Sequence, residues 1–208
     1  MNQLPWKQHY PSDVPAELAP VPFEHLPAMV KAATTTYAKT IAFTQVMPNG
    51  MNGSLTYAQV DELSDSFATY LREVLELKQG ARVAVQMPNC LAYPIVAFGI
   101  LKAGCILVNT NPLYTAPEMA YQFSDSGAEA LVVIDMFADR LDEVLAKTQI
   151  KNVVTVKISE FFPPVIAGVI RGVQRYWSRT LPKINVQHTW FQDALAEGKK
   201  RKNSANLE

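Results

Sequence analysis

The sequence is poor in the residues that most often announce a site. It has two cysteines, Cys90 and Cys105. They form no Cys-x-x-Cys and have no histidine cluster beside them, so a zinc site and a disulfide scaffold are both excluded. Cys90 is expected near a helix N-terminus, where a thiol pKa can fall, but two reduced structural thiols is the plainer reading. The three histidines, His9, His25 and His188, are far apart and read as surface or capping residues. Nine glycines occur and none cluster, so there is no G-x-x-x-x-G-K-[ST] loop, no G-x-G-x-x-G after a strand and no G-x-S-x-G. Net charge is absent too, with 19 basic and 19 acidic residues. No global field draws nucleic acid or other polyanions, and no nucleic-acid partner is expected. No apolar run is long enough to span a bilayer, and the first fifteen residues lack a signal-peptide core. The reading is a cytoplasmic protein.

What is present is a globular α/β pattern, with 49% apolar residues, enough to build a sizeable core. Arg82–Met87 is a short β-branched run stopped by Pro88-Asn89. Leu91–Lys102 carries apolar residues near helical spacing and closes at Gly104, and Cys105–Val108 is apolar again. Buried strands joined by a helix imply a parallel sheet covered on both faces. Upstream, Phe23–Tyr37 reads as a helix. Ile41–Val46 and a strand ending at Leu55 flank a linker with Asn-Gly turn signals. Thr56 with Gln59 forms a capping box for a helix running to about Leu77. Thr115 with Glu118 forms a second, and Gly127 closes the helix it opens. Leu131–Ile134, a helix over Ala138–Thr148 and Val153–Val156 continue the alternation.

The predicted fold is therefore a doubly wound, mostly parallel α/β sheet with helices on both faces. An N-terminal arm (1–22) and a hairpin precede or join the α/β unit (23–160). An amphipathic cationic helix (161–183) and a mobile polar tail (184–208) follow. In the amphipathic helix Ile166, Val169, Ile170, Val173 and Trp177 fall on one side. Arg171, Arg175 and Arg179 gather on the other, with no acidic residue between Pro164 and Pro182.

Four short motifs in order carry a resemblance to a known family. Leu101-Lys102-Ala103-Gly104, running on to Asn109, resembles the second core motif of the adenylate-forming enzymes. Leu55-Thr56-Tyr57 is similar to their first core motif. NTNPLYT at 109–115 and SDSGA at 124–128 narrow the resemblance to bacterial long-chain fatty acyl-CoA synthetases, over a stretch from Trp6 to about Lys157. The family implies two half-reactions. A carboxylate attacks the α-phosphate of ATP to give an acyl-adenylate and pyrophosphate, and coenzyme A thiol then displaces AMP. It implies ATP, Mg and coenzyme A for the intact parent, a long-chain fatty acid as substrate, and the remaining ligase domains as partners. The phosphate loop and its lysine, the acid that handles Mg-ATP and the adenylation lysine have no counterpart in these residues. The chain therefore reads as the amino-terminal part of a larger ligase, without catalytic or metal-binding residues of its own, inactive alone and binding none of these cofactors tightly.

The resemblance also implies a coenzyme A side. In relatives the loop after the second core motif borders the coenzyme A nucleotide, and an arginine past the next strand approaches its phosphates. Those positions are Asn111, Pro112, Leu113 and Tyr114, with Arg140 as the cation. Pro112 and Leu113 stand where some relatives have glycine. The plainer reading is a turn with Tyr114 packed on the core. The cationic helix has two readings as well. Ile166, Ile170, Val173 and Trp177, backed by Arg171, Arg175 and Arg179, suit an interfacial membrane helix on the inner face of the membrane. Alternatively, the apolar side covers the domain core and the arginines are solvated. Lys199–Lys202 reads as a solvated linker. Other classes remain open: an aryl-CoA or acyl-AMP ligase, a non-catalytic module that docks on membranes or forms a homodimer, and a small nucleotide-binding α/β protein.

Overall fold

The computed structural model describes residues 4–15 and 17–202. The outer ends of the arm and tail assigned from sequence lie outside that range. The order is α1 (Leu26–Thr36), β1 (Ile41–Val46), β2 (Asn52–Thr56), α2 (Tyr57–Thr69), β3 (Arg82–Gln86), α3 (Ala92–Lys102), β4 (Ile106–Asn109), α4 (Ala116–Ser126), β5 (Ala130–Ile134), α5 (Leu141–Leu145), β6 (Asn152–Val156), α6 (Pro164–Gly172), β7 (Thr189–Trp190) and α7 (Phe191–Arg201). Strands β3 to β7 form one parallel sheet in the order β4-β3-β5-β6-β7, while β1 and β2 pair separately as an antiparallel hairpin.

Local chemistry accounts for most of the boundaries. Thr56 caps α2 through a full capping box with Gln59, whose Oε1 accepts from the Thr56 amide at 2.8 Å. Gly127 ends α4 in the left-handed region at φ 66°, a conformation without steric cost only for glycine. Strand β5 is buried along its whole length, as expected of a sheet covered on both sides.

Two cores result. On one face α2, α3 and α7 cover the sheet through Phe67, Ile95, Ile100 and Phe191. On the other, Met119 and Phe123 of α4 and Leu141 and Val144 of α5 pack under the same strands. The hairpin clamps the first face. Leu55 enters the core, and Gln45 Oε1 accepts from the Leu91 amide at 3.1 Å, satisfying an orphan donor at the start of α3.

Three sequence expectations need correction. The tail read as polar and mobile contains β7 and α7. Phe191, Ala194, Leu195 and Gly198 recur at helical spacing, and all four are buried. The lysines read as a linker are tied down, Lys199 to Glu62 at 2.9 Å and Lys202 to Asp65 at 2.9 Å. The helix expected over 138–148 is a 3-10 turn over Asp135–Arg140 followed by the short α5.

Candidate functional site

In open parallel sheets ligands settle beyond the carboxyl ends of the strands, where the connections diverge. Here β3 feeds β4 on one side, and β5, β6 and β7 extend the other. The divergence lies between β3 and β5. The residues at those ends are Gln86, the loop 110–115 after β4, Asp135 after β5, and Lys157 to Glu160 after β6.

The loop is a built turn. The Tyr114 amide donates to the Asn111 carbonyl at 3.1 Å, closing a four-residue turn with Pro112 in its second place. Asn111 Oδ1 accepts from the Leu113 amide at 3.0 Å. From the buried end of β3, Gln86 Nε2 donates to the same Asn111 carbonyl at 3.3 Å. Arg140 arrives from the 3-10 turn after β5, and its Nη1 donates to the Tyr114 carbonyl at 3.1 Å. The five positions singled out from sequence are thus neighbours, although Arg140 lies 26 residues from Tyr114 in the chain. The plainer reading is also partly satisfied, since Tyr114 leans on the second core.

The helix N-terminus beside this loop is not open. Glu118 Oε2 accepts from the Thr115 amide at 2.8 Å and from its hydroxyl at 2.7 Å, and these contacts hold the carboxyl below its ordinary pKa. A carboxylate already answers the positive end of the α4 dipole, and the cation beside the loop, Arg140, has its Nε 3.5 Å from Asp139 Oδ1. Beside the loop, Tyr114, Pro117, Tyr121 and Gln122 line a shallow depression of about 390 Å³.

Sequence reasoning missed a second group of side chains at the same end of the sheet. Asp135 is buried directly after β5, and Arg171 of α6 pairs with its Oδ2. Burial still wins and raises the Asp135 pKa. Glu160 is buried after β6, with Oε1 accepting from the Lys157 amide at 3.3 Å, and burial pushes its pKa up to about 7. For Asp135 the available signal was a carboxylate placed just after an all-apolar strand, at the mouth of the sheet, whereas Glu160 lies four residues beyond a strand that carries Asn152 and Thr155. Between α6 and β7 lies a cleft of about 430 Å³, lined by Asp135, Arg171, Arg175, Lys183, His188 and Trp190.

The cysteines lie away from this end or are buried within it. Both are free, and burial raises both thiol pKa values. For Cys90, desolvation outweighs the amides of Tyr93 and Ala92 at the start of α3. Among the described residues no cluster of three or more His, Cys, Asp or Glu is placed to hold a metal ion.

The amphipathic helix differs from its prediction. Ile170 is buried and Ile166 packs on the first core, so neither faces outward. Arg171 is committed to Asp135 rather than solvated. Val173 and Trp177 do point outward, joined by Val165, Val169 and Tyr176. The core takes a narrower arc of the helix than its apolar residues span.

Residues 30–184 match the family model of the AMP-binding enzymes. The chain belongs to the AMP-binding enzyme family. Among its relatives, the long-chain-fatty-acid–CoA ligase of Salmonella typhimurium is 39% identical over 194 residues, which is 93% of this chain and 34% of the relative. The ligase of the same name from Haemophilus influenzae is 36% identical over 197 residues, 94% of this chain and 34% of its own. The chain thus spans about a third of the length of the curated relatives it matches. Two solved structures share the fold. A benzoate CoA ligase from Burkholderia xenovorans superposes with a TM-score of 0.58 at 20% identity, covering 82% of this chain and 28% of its own. A long-chain-fatty-acid-CoA ligase from Archaeoglobus fulgidus gives 0.55 at 23% identity, covering 65% and 29%.

Proposed function

We propose that this chain is the amino-terminal part of an ATP-dependent long-chain fatty acid–CoA ligase. The carrying observation is the 39% identity to a ligase of that name across 93% of the chain. In this reading the intact enzyme joins a fatty acid to coenzyme A through an acyl-adenylate. The fatty acid carboxylate displaces pyrophosphate from ATP, and the coenzyme A thiol then displaces AMP. Bound Mg-ATP would supply the activated phosphorus, and the phosphate loop that holds it would come from the remaining ligase domains. The residues present act earlier, by building and orienting.

On the coenzyme A side, Arg140 and the 111–114 turn are the elements this chain contributes. Arg140 is half-exposed and held at the turn by its bond to the Tyr114 carbonyl. Its guanidinium sits beside a rigid loop with Asp139 Oδ1 3.5 Å from Nε, an exposed ion pair that a phosphate of the coenzyme A nucleotide would displace. Gln86 and Pro112 keep the turn from moving when that phosphate arrives.

The intact ligase tests this reading. With ATP, coenzyme A and oleate, AMP release is expected to depend on oleate, whereas benzoate preference would point to an aryl-CoA ligase instead. Arg140→Ala is expected to raise the KM for coenzyme A about tenfold, the worth of one charge-assisted contact, with the KM values for ATP and oleate unchanged. An unchanged coenzyme A KM would remove Arg140 from the site. The 208-residue chain by itself is expected to release no AMP, and turnover by it alone would overturn the fragment reading.

A further inference from the structure

We infer that the cleft between α6 and β7 is a binding site for a phosphorylated sugar, a ligand that joins one phosphate to free hydroxyls. The cleft holds about 430 Å³, within the range of small-molecule sites. Asp135 lines it and is only 2% exposed. Arg171 pairs with its Oδ2, but its Oδ1 is buried without a hydrogen-bond partner. A buried acceptor left in that state is destabilising, and a donor supplied by a ligand removes the penalty. His188, on the same wall, donates from Nδ1 to the Val186 carbonyl at 2.9 Å, so the neutral ring offers Nε2 as a second acceptor. Two acceptors facing one cleft call for hydroxyl or amine donors.

The cations of the cleft ask for the opposite chemistry. Arg175 and Lys183 line it, and among the described residues no carboxylate pairs with either. No Asp or Glu occurs in the chain between Glu160 and Asp193. Two unpaired cations, one of them a planar fork of donors, suit a phosphate. The oxygens of that phosphate would be repelled by Asp135, so a single anion does not satisfy the whole lining. The ligand therefore has two heads, a phosphate toward Arg175 and Lys183 and hydroxyls toward Asp135 Oδ1 and His188 Nε2. Leu181, Ile184 and Trp190 supply an apolar wall, against which the C–H face of a sugar ring can rest. A fatty acid brings no donor for Asp135, and inorganic phosphate brings no second head. The cleft shares no residue with the 111–114 turn or Arg140, and this inference does not rest on the ligase reading.

Isothermal titration calorimetry of the 208-residue chain tests it, with glucose 6-phosphate as the probe at about pH 7.5, where a phosphate monoester is mostly a dianion. Binding is expected, at least about tenfold tighter than that of glucose or of inorganic phosphate, each of which keeps one head only. Arg175→Ala/Lys183→Ala is expected to weaken the sugar phosphate by about tenfold or more. Both side chains are exposed, and unchanged circular dichroism and Tm establish that the variant folds. His188→Phe keeps a ring of similar shape without its nitrogens, and is expected to weaken glucose 6-phosphate while leaving inorganic phosphate unaltered. No binding, full affinity in the Arg175→Ala/Lys183→Ala variant, or equal affinity for inorganic phosphate (an adventitious ion only) would each overturn the proposal. So would AMP binding more tightly than glucose 6-phosphate and competing with it, which would assign the cleft to a nucleoside phosphate instead.

Discussion

Lys102, the lysine of the LKAG motif, is a structural ion rather than a reactive one. Its Nζ lies 2.7 Å from Asp61 Oδ1 and 2.6 Å from Asp65 Oδ1, with its side chain 9% exposed. Lys31 and Lys202 complete the other oxygens of those two carboxylates. Burial would raise the Asp61 pKa, but hydrogen bonds from Lys102 and Lys31 overcome it and leave the value lowered. Removing the central cation leaves two carboxylates one helical turn apart, each with one oxygen unpaired and a single outer lysine on the other. Lys102→Met is therefore expected to cost about 3 kcal/mol, read as a lower urea midpoint at unchanged slope. A change below about 0.5 kcal/mol would show that the outer lysines suffice.

Among the elements, α2 is the one that the packing depends on most. It lies between α3 and α7, and glycine makes both approaches possible. A Cβ at Gly99 would sit 2.8 Å from the Phe67 ring. A Cβ at Gly198 would overlap the Ser66 carbonyl oxygen, which is backbone and cannot yield. Gly198→Ala is expected to lever α7 off α2 and to cost about 2–3 kcal/mol. Gly168 in α6 faces open space, so Gly168→Ala is expected to stabilise by about 0.5 kcal/mol through helix propensity alone. Thermal unfolding of the pair would separate close packing from propensity. Equal effects of the two would remove the close-approach argument. The edge strand β7 follows from the same packing, because Phe191 in the core draws Thr189 and Trp190 against β6.

For the whole molecule, two oppositely shifted carboxyls illustrate how stability varies with pH. Asp61 has a folded pKa below its unfolded value. Its contribution is present above the unfolded value near 3.8 and is lost as pH falls through the folded one. Glu160 is raised from 4.5 to about 7. Between those values the folded state holds the extra proton, so stability falls as pH rises through that window and is level above it. Glu160→Gln keeps the oxygen that accepts from the Lys157 amide and has no charge to desolvate. At pH 8 the variant is expected to exceed the parent by up to about 3 kcal/mol, with the gap closing near pH 4.5. Urea unfolding at a series of pH values reads this directly, and a pH-independent gap would show that Glu160 is ionised in the fold.

Much of this was legible residue by residue. The capping boxes at Thr56 and Thr115 and the C-terminal glycine of α4 are local chemistry, closed within a few residues, and they appear where the sequence placed them. The buried strands β3 and β5 were readable because an element covered on both faces is mostly apolar, with Gln86 at the end of β3 the one buried exception. The five positions proposed for coenzyme A were named by resemblance, and they are adjacent because the β4 and β5 loops emerge at the same end of the sheet. What only the tertiary structure decided depends on partners distant in sequence. The direction in which α6 turns its apolar arc follows from Asp135 capturing Arg171, 36 residues away. The order of a segment that reads as a charged tail follows from Glu62 and Asp65 of α2 meeting its lysines and from Ser66 lying against Gly198. Periodicity and capping are properties of one element, so the sequence determined those alone. Which face is buried is a property of two elements, and it is settled only when they meet.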